Sequence, residues 1–188
     1  MKESVYHEII ISGFGGQGII LNGNILGKAA ALYSELNATF VQSYGPEARG
    51  GACSAQVIIS HNTISYPYVH EPNILIALSQ EGYENNIDLL KEGGLLITDS
   101  DLVTLNDTEK KYLSYAIPAV KTAEKLGNRM TANIVMLGVL ASLSHVVTAE
   151  SLRKSIETSV PKGTEEINLK AFEAGYTFQE KTEKGYNE

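Results

Sequence analysis

A glycine-rich segment near the N-terminus constrains this chain more than any other feature. Gly13-Phe-Gly-Gly-Gln-Gly18 fits the pattern G-x-G-x-x-G at its first, third and sixth positions. It follows a short apolar, β-branched run at residues 8–12 and precedes residues 19–33, whose apolar side chains recur at helical spacing. A strand, a glycine turn and a helix in this order predict the first unit of an α/β fold.

The same segment is suited to binding an anion. Glycines permit a tight turn and a close approach of the backbone to a ligand, and the N–H groups of the first helical turn lie at the positive end of the helix dipole. The motif therefore favours a phosphate or pyrophosphate ligand. The alternative is that the glycines only allow the turn and the contact between helix and sheet.

The residues beyond the motif argue against NAD as that ligand. An NAD site requires an Asp or Glu about 20 residues further on, at the end of the second strand, to accept hydrogen bonds from the ribose. Gln42 and Ser43 stand there, and Glu47 follows only after Pro46, in a loop where we expect it to be solvated. A phosphate-bearing ligand other than NAD fits better.

Arg49 is a second candidate for ligand binding. After a predicted strand at residues 38–42, residues 43–51 contain three Gly and one Pro, which is typical of a loop. The guanidinium of Arg49 could bind a phosphate or carboxylate through two hydrogen bonds. It could equally be a surface side chain paired with Glu47, and the sequence leaves both alternatives open.

The rest of the chain alternates strand-like and helix-like segments. Residues 54–59 and 63–66 are strand-like and separated by His61-Asn62, which predicts a hairpin. Unbroken apolar runs predict strands at residues 74–78 and 95–98. A further strand is predicted at residues 112–117, and helices at residues 83–91, 120–126, 131–145, 148–158 and 164–179.

This order of elements predicts the fold class. Strands that alternate with helices favour a parallel sheet with right-handed crossovers. We expect a single Rossmann-like α/β domain over residues 1–188, with a mainly parallel sheet, a β-hairpin excursion and C-terminal helices. No internal repeat, low-complexity segment or linker divides the sequence.

Composition excludes several functions. Among the 188 residues, Cys53 is the one cysteine, so the chain alone cannot form a disulfide, a Cys-type zinc site or an iron–sulfur cluster. The net charge is −7 and the 15 Lys and Arg residues are scattered, so nucleic acid is not an expected partner. Residues 134–143 are about half the roughly 20 residues of a membrane span, and no signal peptide is evident, so we expect a cytoplasmic protein without membrane contact.

No residue pattern predicts a catalytic or metal site. We expect Cys53 to be a small buried side chain rather than a nucleophile, and Asp99-Ser-Asp101 to form a turn or cap a helix rather than act as a paired acid. No Ser-His-Asp order, Walker lysine or metalloprotease helix occurs. The remaining candidates are four isolated histidines at positions 7, 61, 70 and 145, and a basic series of Lys121, Lys125 and Arg129 that we expect to be a solvated helix face.

Residues 66–69, Tyr-Pro-Tyr-Val, combine aromatic and apolar side chains in a loop-like segment. They could anchor an interface with a partner. They could equally cover the edge of the chain's own core.

Six motifs carry a resemblance to a known family, and this resemblance runs from about residue 9 to residue 175. They are Gly13-Phe-Gly-Gly-Gln-Gly18, Gln42-Ser-Tyr-Gly-Pro-Glu-Ala-Arg-Gly-Gly51 with Ala52-Cys53-Ser54, Leu78-Ser-Gln80, Asp99-Ser-Asp101, Asn133-Ile-Val-Met-Leu-Gly138 and Glu166-Ile-Asn-Leu-Lys-Ala-Phe-Glu-Ala-Gly175. Together they resemble the gamma subunit of the 2-oxoacid:ferredoxin oxidoreductases, most closely the 2-oxoglutarate type.

The resemblance implies a chain that is inert alone and active in a hetero-oligomer. In that family a partner subunit binds thiamine diphosphate and Mg²⁺ and decarboxylates a 2-oxo acid. Electrons pass through [4Fe–4S] clusters to ferredoxin, and coenzyme A takes the acyl group. The implied partners are alpha and beta subunits and a ferredoxin-like subunit or domain, with none of these metal or thiamine cofactors in this chain.

The resemblance also implies a site. By position, Gly15, Gly16, Gln17 and Gly18 would face the pyrophosphate or pantetheine arm of coenzyme A, with Gly13 in the same turn and Arg49 in the neighbouring loop. No catalytic residue and no metal ligand is implied here. Two other hypotheses remain: an independent NAD(P)-dependent oxidoreductase, and a non-catalytic module that senses a nucleotide.

Overall fold

Six strands form one sheet in the computed structural model of the chain, which describes residues 5–44, 51–106 and 111–178. The strands are β1 Tyr6–Phe14, β2 Asn37–Tyr44, β3 Ala52–Ser60, β4 Ile74–Ala77, β5 Leu95–Asp99 and β6 Leu113–Ile117. The helices are α1 Ile19–Tyr33, α2 Gln80–Glu84, α3 Ala119–Lys125, α4 Ala132–Leu143, α5 Ala149–Ser159 and α6 Glu165–Tyr176. Short 3₁₀ helices span Ile87–Leu89 and Arg129–Thr131.

The sheet order is β2-β3-β1-β4-β5-β6, and only β3 runs against the others. β1 pairs in parallel with β4, β4 with β5, and β5 with β6, while β3 pairs antiparallel with both β1 and β2. The predicted α/β fold with a mainly parallel sheet is confirmed. That residues 1–188 form a single domain stays a prediction.

Two predicted elements are wrong. The hairpin between residues 54–59 and 63–66 does not form, because both edges of β3 are already occupied by β1 and β2; the hairpin is β2–β3 instead. The helix predicted at residues 83–91 is α2 followed by a 3₁₀ helix. The helix ends at Asn85-Asn86, where the Asn86 side-chain amide donates to the carbonyl of Gly82 and competes with the helical backbone.

Alternation along the strands divides the core between the two faces of the sheet. Ile9 and Ile11 of β1 pack with α1, α4 and α6 on one face, and Ile10 packs with the fully buried Tyr83 on the other. The first face holds the larger cluster because most of the long helices cover it.

Helices α4 and α6 cross in backbone contact at two glycines. A Cβ on Gly138 would overlap the carbonyl oxygen of Phe172 and lie 2.8 Å from the amide nitrogen of Tyr176. A Cβ on Gly175 would overlap the carbonyl oxygen of Val135. The glycines that end the last two sequence motifs therefore let two helices touch.

None of the helices within the described ranges is long and apolar enough to cross a membrane.

Candidate functional site

The carboxyl ends of four parallel strands meet at one pocket of about 100 Å³. This edge is where α/β sheets place their ligands. The pocket is lined by residues within three positions of the ends of β1, β4, β5 and β6 and by residues at the start of α4 and in the 3₁₀ helix before it, namely Gly16, Gln17, Leu78, Leu102, Val120, Arg129, Met130 and Ala132.

The glycine turn faces this pocket through Gly16. Gly16 has φ +96°, which side chains rarely adopt, and no described atom lies within 4 Å of the place a Cβ would take. The backbone at Gly16 is therefore open to a ligand. Gly15 is held from the other side, because its N–H donates to the carbonyl of Gly51 at 3.0 Å.

Gly13 and Gly18 serve packing instead. A Cβ on Gly13 would lie 2.6 Å from Gln17 Oε1 and 2.7 Å from Ile19 Cδ1. Gly18 has φ +73°, and a Cβ there would overlap the side-chain amide of Asn133. Both glycines are needed because the turn is packed tightly against neighbouring side chains.

Gln17 ties the turn to the sheet. Its Oε1 accepts from the backbone N–H of Phe14 at 2.6 Å, and its Nε2 donates to the carbonyl of Leu78 at 2.8 Å. The carboxamide thus bridges the ends of β1 and β4. Its evident role is to position the turn, and direct contact with a ligand stays a prediction.

Two helix N-termini converge on the pocket. The N-cap of α1 is Gly18 and that of α4 is Thr131; neither makes a side-chain capping hydrogen bond, and neither helix has an acidic residue in its first turn. A buried asparagine pair holds them together, since Asn22 donates to the carbonyl of Asn133 at 2.9 Å and Asn133 donates to Asn22 Oδ1 at 2.8 Å. The N-terminus of α1 is available to an anion, whereas α4 continues directly from the 3₁₀ helix, and its first N–H, at Ala132, already donates to the carbonyl of Arg129.

Arg129 adds a cation that the sequence analysis did not assign to the site. It lines the pocket from the 3₁₀ helix before α4, and its guanidinium lies 3.6 Å from Glu124 in an exposed ion pair. The spacing of Lys121, Lys125 and Arg129 suggested one helix face, but α3 ends at Lys125. That break in the helix carries Arg129 to the pocket.

Comparison with known protein families identifies the family of this chain. The profile of the family named pyruvate ferredoxin/flavodoxin oxidoreductase matches residues 8–178. The chain belongs to the pyruvate ferredoxin/flavodoxin oxidoreductase family. The 2-oxoglutarate synthase subunit KorC of Methanocaldococcus jannaschii is 52% identical over 171 residues, which cover 90% of this chain and 91% of that subunit.

Two solved structures are similar to this chain in fold. A keto/oxoacid ferredoxin oxidoreductase gamma subunit from Geobacter sulfurreducens matches with a TM-score of 0.78 at 40% identity, over 90% of this chain and 96% of that one. A 2-oxoglutarate:ferredoxin oxidoreductase from Magnetococcus marinus, with 2-oxoglutarate, coenzyme A and succinyl-CoA bound, matches in fold with a TM-score of 0.83 at 24% identity. That match covers 92% of this chain and 30% of the longer chain. The expected resemblance is confirmed: this chain is a subunit of a 2-oxoacid:ferredoxin oxidoreductase.

Two carboxylates near the pocket of this oxidoreductase subunit have structural roles, as expected. The buried carboxylate of Asp99 accepts from the N–H groups of Asp101 and Val120, each at 2.9 Å, and thereby caps α3. Asp101 pairs with Lys121 at 2.6 Å. The prediction of a turn and cap, rather than a paired acid, is confirmed.

Cys53 is buried, and burial raises the pKa of its thiol above the ordinary value, so it remains protonated at neutral pH. This confirms its interpretation as a small buried side chain. Burial also lowers the pKa of His7, whose Nδ1 lies 3.1 Å from the Asn73 amide. Within the described ranges, no three His, Cys, Asp or Glu residues come together as metal ligands. Arg49 lies outside the described residues, so its role stays a prediction.

Proposed function

We propose that this chain is the gamma subunit of a 2-oxoglutarate:ferredoxin oxidoreductase and helps to hold coenzyme A. The observation that carries the proposal is the open backbone of Gly16, which lines a pocket at the carboxyl edge of the sheet and stands next to the uncapped N-terminus of α1. The relatives named 2-oxoglutarate synthase subunits support the substrate. The Magnetococcus protein, named with coenzyme A bound, supports the ligand.

In this proposal the pocket receives part of the coenzyme. The pyrophosphate accepts hydrogen bonds from the turn at Gly16 and from the first turn of α1, and Arg129 offers a further positive charge. Leu102, Val120 and Met130 present an apolar wall that suits the pantetheine arm. Because about 100 Å³ is far less than coenzyme A occupies, the rest of the coenzyme would contact other subunits.

The chemistry belongs to those other subunits. We assign thiamine diphosphate, Mg²⁺ and [4Fe–4S] clusters to alpha, beta and ferredoxin-like partners in the cytoplasm, with electrons leaving to ferredoxin. This chain binds and orients the coenzyme while a partner decarboxylates 2-oxoglutarate and transfers the acyl group to it. No catalytic residue is assigned to this chain.

The topology favours this proposal over an NAD site. In a Rossmann fold the second strand lies beside the first, so its end reaches the ribose next to the glycine turn. Here the reversed strand β3 separates β1 from β2, and both Gly13 and Tyr44 pair with Cys53. The end of β2 is thus one strand further away from the turn, and Gln42 and Ser43 offer no carboxylate.

Coenzyme A affinity of the assembled oxidoreductase tests the proposal. Gly16→Val should weaken binding tenfold or more, because the side chain enters the space of the ligand and displaces two or three charge-assisted hydrogen bonds. Gly163→Val is the matched control, since Gly163 also has a positive φ of +86° and no described atom within 4 Å of a Cβ, but lies between α5 and α6. Equal affinities in both variants, with equal losses of melting temperature, would contradict the proposal.

A further inference from the structure

The edge strand β2, its neighbour β3 and the segment after β3 carry no acidic side chain and no Lys or Arg. No Lys, Arg, Asp or Glu occurs from Leu36 to Tyr44 or from Gly51 to His70. Among the described residues, β2 pairs with β3 on one side only, so the outward N–H and C=O groups of alternate residues along this eight-residue strand have no strand partner. Proteins usually protect such an edge with charges, prolines or a covering element, and β2 itself contains no charge and no proline.

A mainly apolar groove of about 250 Å³ runs along one face of this edge, between α1 and β2. Asn24, Lys28 and Thr39 also line it, and the Lys28 ammonium donates to the Ser159 hydroxyl at 3.1 Å. Gly27 and Ala31 form its floor on α1, and Ala38 and Phe40 form its wall on β2. Leu32 stands at the rim with 65% of its surface exposed. The small helix residues leave room for side chains that come from outside.

Two tyrosines stand on the opposite face of the same edge. Tyr66 and Tyr68 are 64% and 50% exposed, and their ring centroids lie 5.4 Å apart. Pro67, between them, accepts a hydrogen bond from Thr39 of β2 at 3.3 Å, which fixes the pair over the strand.

The segment that carries the tyrosines is held at its far end by Glu8 of β1. Its carboxylate accepts from the backbone N–H groups of His70 and Glu71, each at 2.8 Å. Burial alone would raise the pKa of Glu8, but hydrogen bonds from Tyr6 and from these two N–H groups lower it below its ordinary value. The tyrosine pair is therefore presented in a fixed position although it covers little of the core.

Elsewhere on the described surface, charged side chains form ion pairs. The ion pairs among the described residues join Glu71 to Lys91, Asp101 to Lys121, Glu124 to Arg129, Glu150 to Lys154, Arg153 to Glu173 and Glu166 to Lys170, and none involves β2 or β3. Loss of charge together with exposed tyrosines distinguishes the core of a protein interface from ordinary surface.

We propose that the β2 edge docks an extended, uncharged segment of another subunit, which adds to the sheet as a seventh strand. Side chains alternate across an added strand, so its apolar residues would enter the α1–β2 groove on one face and pack on Tyr66 and Tyr68 on the other. The assignment rests on the proposed function, which places the chain in a hetero-oligomer.

Two observations favour a different subunit over a second copy. The same fold forms 30% of the longer Magnetococcus chain, so a domain of this kind has the rest of an oxidoreductase chain as its neighbour there. Each copy of this chain also carries a net charge of −7, which opposes self-association. An uncharged segment of a different subunit would not face this electrostatic repulsion.

Co-expression of the tagged chain with its partner subunits tests the proposal. We expect the double variant Leu32→Lys/Tyr66→Lys to capture at least tenfold less partner than the wild type. Both substituted side chains are solvent-exposed, so the free subunit should keep its melting temperature. The matched control is Leu113→Lys on β6, the opposite edge of the sheet, where Leu113 is 61% exposed; it should capture partner normally.

Three other results of the co-expression experiment would contradict the proposal. If the wild type captures oxidoreductase subunits and the double variant captures as much, the docking proposal is wrong and the proposed function stands. If the wild type captures none, the hetero-oligomer itself is wrong. A free subunit that is a dimer, and that the double variant converts to a monomer, would assign the edge to self-association and overturn the proposal.

Amide hydrogen exchange gives a second measurement that needs no variant. On assembly of the wild-type complex, exchange should slow at least tenfold in β2, where a new strand would take up the outward N–H groups. Exchange in β6 should change less. Unaltered exchange in β2 would overturn the proposal.

Discussion

Gly16 in the turn after β1 and Gly175 in α6 differ in what a side chain would meet. No described atom lies within 4 Å of the place of a Cβ on Gly16, and the backbone there adopts a positive φ beside a pocket. The place of a Cβ on Gly175 is filled by the backbone of Val135, and Gly175 is helical. One glycine leaves space for a ligand, whereas the other brings two helices into contact.

This difference separates ligand binding from packing within one set of sequence motifs. Both glycines belong to motifs that resemble the same family, so the resemblance alone does not distinguish their roles. Gly18 is intermediate, because it has a positive φ and also packs against Asn133. From Gly175 through Gly18 to Gly16, substitutions should therefore have decreasing effects on stability and increasing effects on coenzyme A binding.

Gly175→Val should have the largest effect on stability. A β-branched side chain would force α4 and α6 apart, at a cost on the order of 4 kcal/mol in the free energy of unfolding. Urea denaturation of the free subunit measures it. Ala174→Val, one position earlier in α6, is the control and should cost less than about 1 kcal/mol. Similar losses in both variants would show that the helices are not in backbone contact at Gly175.

Gly18→Ala should destabilise by about 2–3 kcal/mol, because a left-handed backbone costs about 1–2 kcal/mol for a residue with a Cβ and the contact with Asn133 adds to it. Gly163→Ala shares the positive φ without the contact and isolates the second contribution. Thermal melts of both variants make the comparison. Indistinguishable melting temperatures would remove the packing role assigned to Gly18.

Gln17→Ala should cost about 1–2 kcal/mol, because it removes the hydrogen bonds to Phe14 and Leu78 that hold the turn. Chemical denaturation of the free subunit gives the value. Gln42→Ala, at an exposed position in β2, is the control and should be nearly neutral. A neutral Gln17→Ala that nonetheless weakened coenzyme A binding would make Gln17 a ligand contact rather than a positioning residue.

Arg129→Ala should have the smallest effect on stability, since its ion pair with Glu124 is exposed. Coenzyme A affinity should fall about threefold to tenfold at low ionic strength and less in high salt, because salt screens an accessible contact with phosphate. Titrations at two salt concentrations measure this, with Lys125→Ala as the control. An effect independent of salt would exclude a charge contact.

Local patterns in the sequence predict much of this fold. The strands β1, β4 and β5 follow from apolar runs, and the turn at residues 13–18 follows from its glycines. The caps made by Asp99 follow from its place at the end of a strand. In each case the deciding interactions lie close in sequence or depend on burial, except that Asp99 also accepts from the N–H of Val120, 21 residues further along the chain.

Long-range placement could not be predicted in the same way. The reversed strand β3 lies between β1 and β2, and no local pattern specifies its partners, so the sequence predicts the hairpin with the wrong partner for β3. Arg129 reaches the pocket only through the break after α3, and Asn22 meets Asn133 across two helices far apart in sequence. The packing roles of Gly138 and Gly175 depend on such a crossing as well.

Amide hydrogen exchange with and without coenzyme A tests the central claim most directly. In the assembled oxidoreductase, saturating coenzyme A should slow exchange at residues 15–19, where the ligand would take up backbone N–H groups. Exchange around Gly138 and Gly175, at the α4–α6 crossing, should stay the same. Unchanged exchange at residues 15–19 under saturating coenzyme would contradict the account, because the open turn would then have no part in holding the ligand.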